Sequence, residues 1–175
     1  MKKTFEVSLL FFIFTLGFSP KNFAELPGNI RTESGIDMVL IPGGWLTKDS
    51  PKGQVDAKSR KFWVDSFYMD KYPVTQQHFQ MIIGMNPSRW QQDNNPVERV
   101  TWVGAVKYCN KLSAMEGLQP VYNEKTWEAN FEATGYRLPT ETEWEYAARG
   151  GKDTLCFFGN DLKKLRFFAW IKENS

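Results

Sequence analysis

The stretch that most limits the fold is Gly135-Tyr-Arg-Leu-Pro-Thr-Glu-Thr-Glu-Trp-Glu-Tyr-Ala-Ala-Arg-Gly-Gly151, because both ends of a helix are written into it. Thr140 and Glu143 stand three apart, the spacing of a capping box. The Thr hydroxyl accepts from the N–H of residue 143, and the Glu carboxylate accepts from the N–H of Thr140. Glu141, Glu143 and Glu145 put negative charge at the positive end of the helix dipole, and Arg149 puts positive charge at the other. Gly150 lacks the Cβ that penalises a left-handed closing turn. Pro139 keeps Leu138 extended, so a strand-like arm should lead directly into the cap. Trp144, Ala147 and Ala148 share one face, which is expected to pack inward. Together these features describe scaffold helix and no chemistry.

The amino terminus reads differently. Lys2 and Lys3 precede a mostly apolar run from Val7 to Phe18, Pro20 breaks it, and Asn22-Phe23-Ala24 offers a cleavage site. Residues 1–24 are therefore expected to be a secretory signal peptide, too short to anchor comfortably as a membrane span. No Cys follows the run, which argues against a lipoprotein anchor. The mature chain is expected to be exported, periplasmic or extracellular, with no stable membrane anchor once the leader is cleaved. The whole chain carries 22 basic and 20 acidic residues, and the leader takes three lysines and one glutamate with it. The remainder is close to neutral, so no nucleic-acid partner is expected.

Residues 25–37 read as a polar N-terminal arm. Met38 to Ile41 is a short strand ended by Pro42-Gly43-Gly44, and Trp45-Leu46 can resume pairing. Thr47 to Arg60 reads as a loop, and Phe62 to Met69 as one aromatic, β-branched strand. Thr75 is an expected N-cap for a helix with Phe79, Ile82 and Ile83 on its apolar face and Gly84 at its end. Asn86 to Pro96 is a second loop. Thr101 caps a further helix in which Trp102, Ala105, Val106, Cys109, Leu112 and Ser113 recur at helical spacing before Gly117. Tyr122 to Thr134 suggests a hairpin, Leu155 to Phe158 a strand, and Gly159-Asn160-Asp161 a turn. Three modest helices among short strands and long loops make an α+β domain.

The residues permit little catalytic chemistry. His78 is the single histidine, too few for a three-His iron or two-His zinc site. It is expected on a helix surface. No Gly-x-Ser-x-Gly elbow or glycine-rich phosphate loop is present. Glu141, Glu143 and Glu145 are explained as capping and dipole partners before acid–base groups. Trp90, Trp102, Trp127, Trp144 and Trp170 could line a groove, but ordinary core is the expectation. Cys109 and Cys156 could form a disulfide in an oxidising compartment. Each also reads more simply as a small buried hydrophobe, and neither sits in a cationic setting that would make a reactive thiol.

Set side by side, these motifs resemble the sulfatase-modifying-factor domain, the formylglycine-generating enzyme family. The run Gly135 to Gly151 is similar to its signature. Met38 to Gly44, Phe67 to Thr75, Asn95 to Val97, Val100 to Asn110, and Phe158-Gly159 with Ala169 to Ser175 match in the same order. The resemblance covers residues 38–175 and implies an α+β fold with little regular structure, distantly related to C-type lectin domains. It also implies the family chemistry: copper-dependent, oxygen-using oxidation of a sulfatase cysteine to formylglycine, with a cysteine pair holding the metal and calcium as a second family cofactor. The family's Gly-Asn-Val-Trp-Glu-Trp segment, copper-binding cysteine pair and Arg-Gly-Gly-Ser-Trp motif do not occur in this sequence. Cys109 matches a helix cysteine that some members bond to a partner in that later part, and Trp170 stands where some relatives have an Asn ligand. The resemblance therefore assigns no catalytic, cofactor-binding or metal residue here. It points to a domain truncated at its C-terminus and inactive as an oxidase unless a complementary C-terminal half or protein partner completes it. The alternative is a non-catalytic binding or scaffold module. An iron-dependent sulfoxide synthase is disfavoured by the single histidine.

Overall fold

The computed structural model describes residues 13–14, 27–48 and 59–168. It divides into two compact units, each discontinuous in sequence: Met1–Pro42 with Ser66–Pro139, and Gly43–Asp65 with Thr140–Ser175. In chain order the elements are β1 (Ile13–Phe14), β2 (Asn29–Arg31), β3 (Asp37–Ile41), β4 (Gly44–Lys48), β5 (Arg60–Val64), β6 (Phe67–Asp70), α1 (Gln76–Ile83), α2 (Trp102–Met115), β7 (Tyr136–Arg137) and α3 (Glu141–Arg149), followed by a 3-10 turn at Leu162–Phe167.

The first unit holds a five-stranded sheet in the order β2-β3-β6-β1-β7, with antiparallel neighbours throughout. β2 turns into β3 through Thr32 to Gly35, where Gly35 takes φ +84° and donates to the Thr32 carbonyl at 3.0 Å. Both helices begin as their sequences specify. Thr75 accepts from the His78 N–H at 3.2 Å, and Thr101 from the Gly104 N–H at 3.1 Å. Gly84 closes α1 in the left-handed region at φ +91°. Their inner faces meet in a core of Met38, Val74, Phe79, Ile82, Tyr108, Cys109, Leu112 and Tyr136. There Phe79 stacks on Tyr108 with ring centres 5.4 Å apart and planes 4° from parallel.

The second unit is the β4–β5 hairpin with α3. Trp45 and Trp63 pair edge-to-face across the two strands at 5.2 Å. The Thr140 capping box forms in full, with the Thr140 N–H to Glu143 at 2.7 Å and the Glu143 N–H to Thr140 Oγ1 at 3.2 Å. Glu141 and Glu145 both pair with Lys48, at 2.8 and 2.9 Å, and Arg149 reaches the Thr47 carbonyl at 3.0 Å besides pairing with Glu145.

Several expectations are corrected. The arm at 25–37 contains β2, because Ile30 finds Met38 across a ladder. The aromatic run at 62–69 is two strands, since Asp65-Ser66 breaks it and its halves join different sheets. Leu155 to Phe158 is a turn with one bridge, Cys156 to Gly159, and Tyr122 to Thr134 is likewise irregular apart from a Tyr122–Ala129 bridge. On α3 the buried ring is Tyr146, and Trp144 is 40% exposed. Most of the expected loop at 47–60, Trp170 and the expected leader at 1–24 lie outside the described residues, with the exception of Ile13–Phe14, which pair as β1. Among the described residues no helix is long and apolar enough to cross a membrane.

Candidate functional site

The polar side chains of the first unit converge where the β2–β3 turn, β6, α1, α2 and β7 meet. His78 leaves the first turn of α1 and bonds through Nδ1 to the Tyr108 hydroxyl at 2.5 Å, with Nε2 3.3 Å from the Ser34 carbonyl. Glu116, just past the end of α2, accepts from the Ser34 N–H at 2.9 Å, the Ser34 hydroxyl at 2.5 Å and the Tyr136 hydroxyl at 2.6 Å. Asp70 ends β6 at 4% exposure, and its Oδ1 has no hydrogen-bond partner. Asp70, His78 and Tyr108 line a cavity of about 160 Å³ together with Asp37 and Tyr72.

Burial sets the protonation of this cluster. It pushes the Asp70 carboxyl well above its ordinary range and lowers His78, an effect the Ser34 carbonyl and the Glu116 charge oppose. Burial also acts to raise Glu116, but hydrogen bonds from Ser34 and Tyr136 outweigh it and hold that carboxyl below its usual value. Tyr108 and Tyr136 are both raised, chiefly by burial, so their hydroxyls stay protonated donors. The arrangement can bind and orient a small polar group. The Cys109 thiol takes no part in it: the residue is fully buried, and burial pushes its pKa well up.

His78, expected on a helix surface, is instead half-buried and bonded. Cys109 sits in the core as read from the sequence, and Cys156 is partly exposed; both are free thiols. The glutamates of α3 serve caps and ion pairs, as their spacing suggested. The tryptophans depart from the core expectation: Trp90 is 71% and Trp102 51% exposed. Trp102 meets Tyr122 and Trp127 edge-to-face, each at 6.1 Å, in an aromatic group on the first unit's surface. Asp70, Tyr108, Glu116 and Tyr136 were missed by sequence reasoning. A carboxylate after an apolar strand or at a helix end is ordinary, and no spacing marks it as buried.

A mixed α+β domain with sparse regular structure and a sealed helix cysteine is the class this geometry defines. The chain belongs to the FGE-sulfatase family, the sulfatase-modifying factor enzyme 1-like domain, whose model matches residues 22–173. It is 36% identical to the chaperone protein LppX of Paenibacillus barcinonensis, over 83% of this chain and 56% of that protein. It is 26% identical to the formylglycine-generating enzyme of Mus musculus, over 72% of this chain and 43% of the enzyme. It is 30% identical to the serine/threonine-protein kinase pkn1 of Chlamydia pneumoniae, over 74% of this chain and 22% of the kinase. Among solved structures, Treponema denticola variable protein 1 superimposes with a TM-score of 0.71 at 26% identity, covering 85% of this chain and 66% of that one. The chain thus spans about half or less of the length of these curated relatives.

Copper is the metal that the formylglycine-generating resemblance implies. The described residues do not fit it. Among them no three His, Cys, Asp or Glu side chains converge as a metal site, and the Cys109 thiol is enclosed by core residues.

Proposed function

We propose that this is an exported sulfatase-modifying-factor domain that does not oxidise a substrate cysteine by itself. The observation that supports this reading is Cys109: the thiol is fully buried, its pKa is raised, and no second thiol accompanies it in the core cluster. A cuprous site needs accessible soft thiolates. The family chemistry would then require residues supplied by a complementary segment or partner. The test is formylglycine formation on a sulfatase-derived cysteine peptide, with the full chain, copper and oxygen. No aldehyde product is expected, and turnover would refute the proposal.

The exposed Trp102, with the half-buried Tyr122 and Trp127 around it, favours a second reading, a non-catalytic binding module on a C-type-lectin-related fold. Trp102, half exposed and braced edge-to-face by these two rings, is suited to stacking against a sugar or peptide face. Quenching of tryptophan fluorescence across a glycan panel tests it. A flat response from every glycan would count against it.

A further inference from the structure

The cavity beside His78 is walled by segments far apart in sequence: the β2–β3 turn, the end of β6 with its run into α1, and both helices. Ile36, Pro73 and Val74 give it apolar sides, and Asp70 brings a carboxyl that is 4% exposed. Strand alternation explains why that carboxyl is there. Tyr68 belongs to the core cluster that β6 shares with the helices, and Asp70, two residues on, lies on the same face of the strand. The side chain is thereby directed to the side of the sheet where His78 and Tyr108 line the cavity.

The cavity's other charged and polar groups are engaged elsewhere. Asp37 pairs with Arg31 at 2.8 Å. His78 is held between the Tyr108 hydroxyl and the Ser34 carbonyl. Lys71 follows Asp70 in sequence, but its ammonium lies over the Tyr72 ring at 5.4 Å and does not line the cavity. Among the described residues no basic side chain pairs with Asp70, and its Oδ1 accepts no hydrogen bond.

These features select one class of ligand. An anion would meet carboxyl groups with no cation to hold it. A bare metal ion would lack ligands, since no three His, Cys, Asp or Glu side chains converge among the described residues. A quaternary ammonium carries no N–H for Oδ1. A primary ammonium brings both charge and donors, and charge-assisted bonds to a carboxylate are the stronger kind. Burial raises the Asp70 carboxyl, and a cation beside it favours the ionised form again. The cavity holds about 160 Å³. A cavity of roughly 150 Å³ admits benzene, so a ligand of about six non-hydrogen atoms has room. We propose that this cavity is a binding site for a primary ammonium on a short apolar stem, its N–H groups donating to Asp70 and its stem lying against Ile36, Pro73 and Val74. The site rests on neither reading of the domain's overall role.

The experiment titrates the full chain with cyclopentylammonium and with cyclopentanol, which matches it in size without the charge. His78 is the single histidine, so its ring signals in a nitrogen–proton NMR spectrum report on the cavity without ambiguity. The ammonium is expected to bind saturably, at least about tenfold more tightly than the alcohol, as one hydrogen bond to a charged group implies. The His78 signals should shift as it binds. Asp70→Asn keeps the side-chain volume and should erase the preference. A second amine, acetyl-lysine methylamide with its side-chain ammonium free, separates two sources. Tighter binding of cyclopentylammonium marks a small free amine and tighter binding of the lysine marks a protein side chain; each supports the ammonium site. No saturable binding by either amine overturns the proposal. So do equal affinities for ammonium and alcohol, unmoved His78 signals, or a preference that survives in Asp70→Asn. If Asp70→Asn does not fold, the amine–alcohol ratio and the His78 signals of the unsubstituted chain decide by the same outcomes.

Discussion

Ser113 fastens Tyr136 to α2: its Oγ accepts the Tyr136 N–H at 2.8 Å while donating to the Cys109 carbonyl one turn back at 2.7 Å. One hydroxyl therefore serves a helix and the strand that crosses it, and both residues are fully buried. Gly135 makes the approach possible. A Cβ built there would lie 2.5 Å from Ser113 Oγ and closer still to the Gln119 carbonyl.

Removing this hydroxyl leaves a buried N–H unpaired. Ser113→Ala should lower stability by about 1–3 kcal/mol. Gly135→Ala should cost a similar amount, ~1–3 kcal/mol, by overpacking. Urea titration followed by tryptophan fluorescence would show a lower midpoint with an unchanged slope in each case. A slope change would mean that the denatured or native ensemble has altered instead.

The capping box of α3 gives a local test in the second unit. Thr140→Ala should cost about 1 kcal/mol, whereas Thr140→Ser keeps the acceptor and should be nearly neutral. Thermal melts of both variants separate the capping effect from loss of the Thr methyl.

The buried cluster predicts opposing pH limbs. Glu116 lies below its ordinary 4.5, so its contribution is present above that pH and is lost as pH falls through its depressed pKa. His78 lies below 6.5, so from there downward the unfolded chain takes a proton that the folded chain refuses, and stability again falls with acid. Asp70 runs the other way. As pH rises above 3.8 the unfolded chain ionises while the folded one does not, and stability declines until its raised pKa is passed. Asp70→Asn should therefore stabilise the chain near neutral pH, and Glu116→Gln should flatten the acid limb. Urea midpoints across the acid and neutral range read both.

The aromatic group around Trp102 separates binding from scaffold. Trp102→Ala should change stability by less than about 1 kcal/mol, since half of the ring already faces solvent. If the group binds a ligand, the same change should abolish the ligand's quenching of fluorescence while leaving the melt in place. Parallel loss of both would mark Trp102 as structural.

What the sequence reveals follows from how local each signal is. The three N-caps, Thr75, Thr101 and Thr140, and the left-handed Gly84 and Gly150 are decided within a few residues, and all appear as read. The family resemblance is likewise legible, because its motifs are contiguous. Pairing is not local. Phe62 to Met69 reads as one strand because its composition is uniform, yet partners elsewhere in the chain divide it at Asp65. The burial of Asp70 and the bond between His78 and Tyr108 depend on packing among β6, α1 and α2, which no periodicity within one segment encodes. Tyr146 displaces Trp144 from the inner face of α3 because Gly44 leaves room at the Tyr146 hydroxyl, a contact made with a residue far away in sequence.

The division of the chain has a consequence for its biosynthesis. Gly43–Asp65 leaves the ribosome well before Thr140 and the helix it caps, although these segments form one unit. The β4–β5 hairpin must therefore wait, its Trp45 and Trp63 open to solvent, while the whole of the other unit's helical portion is translated. A chaperone or a slow codon acting on this protein would find its most adhesive nascent surface there, at an intermediate length and not at either terminus.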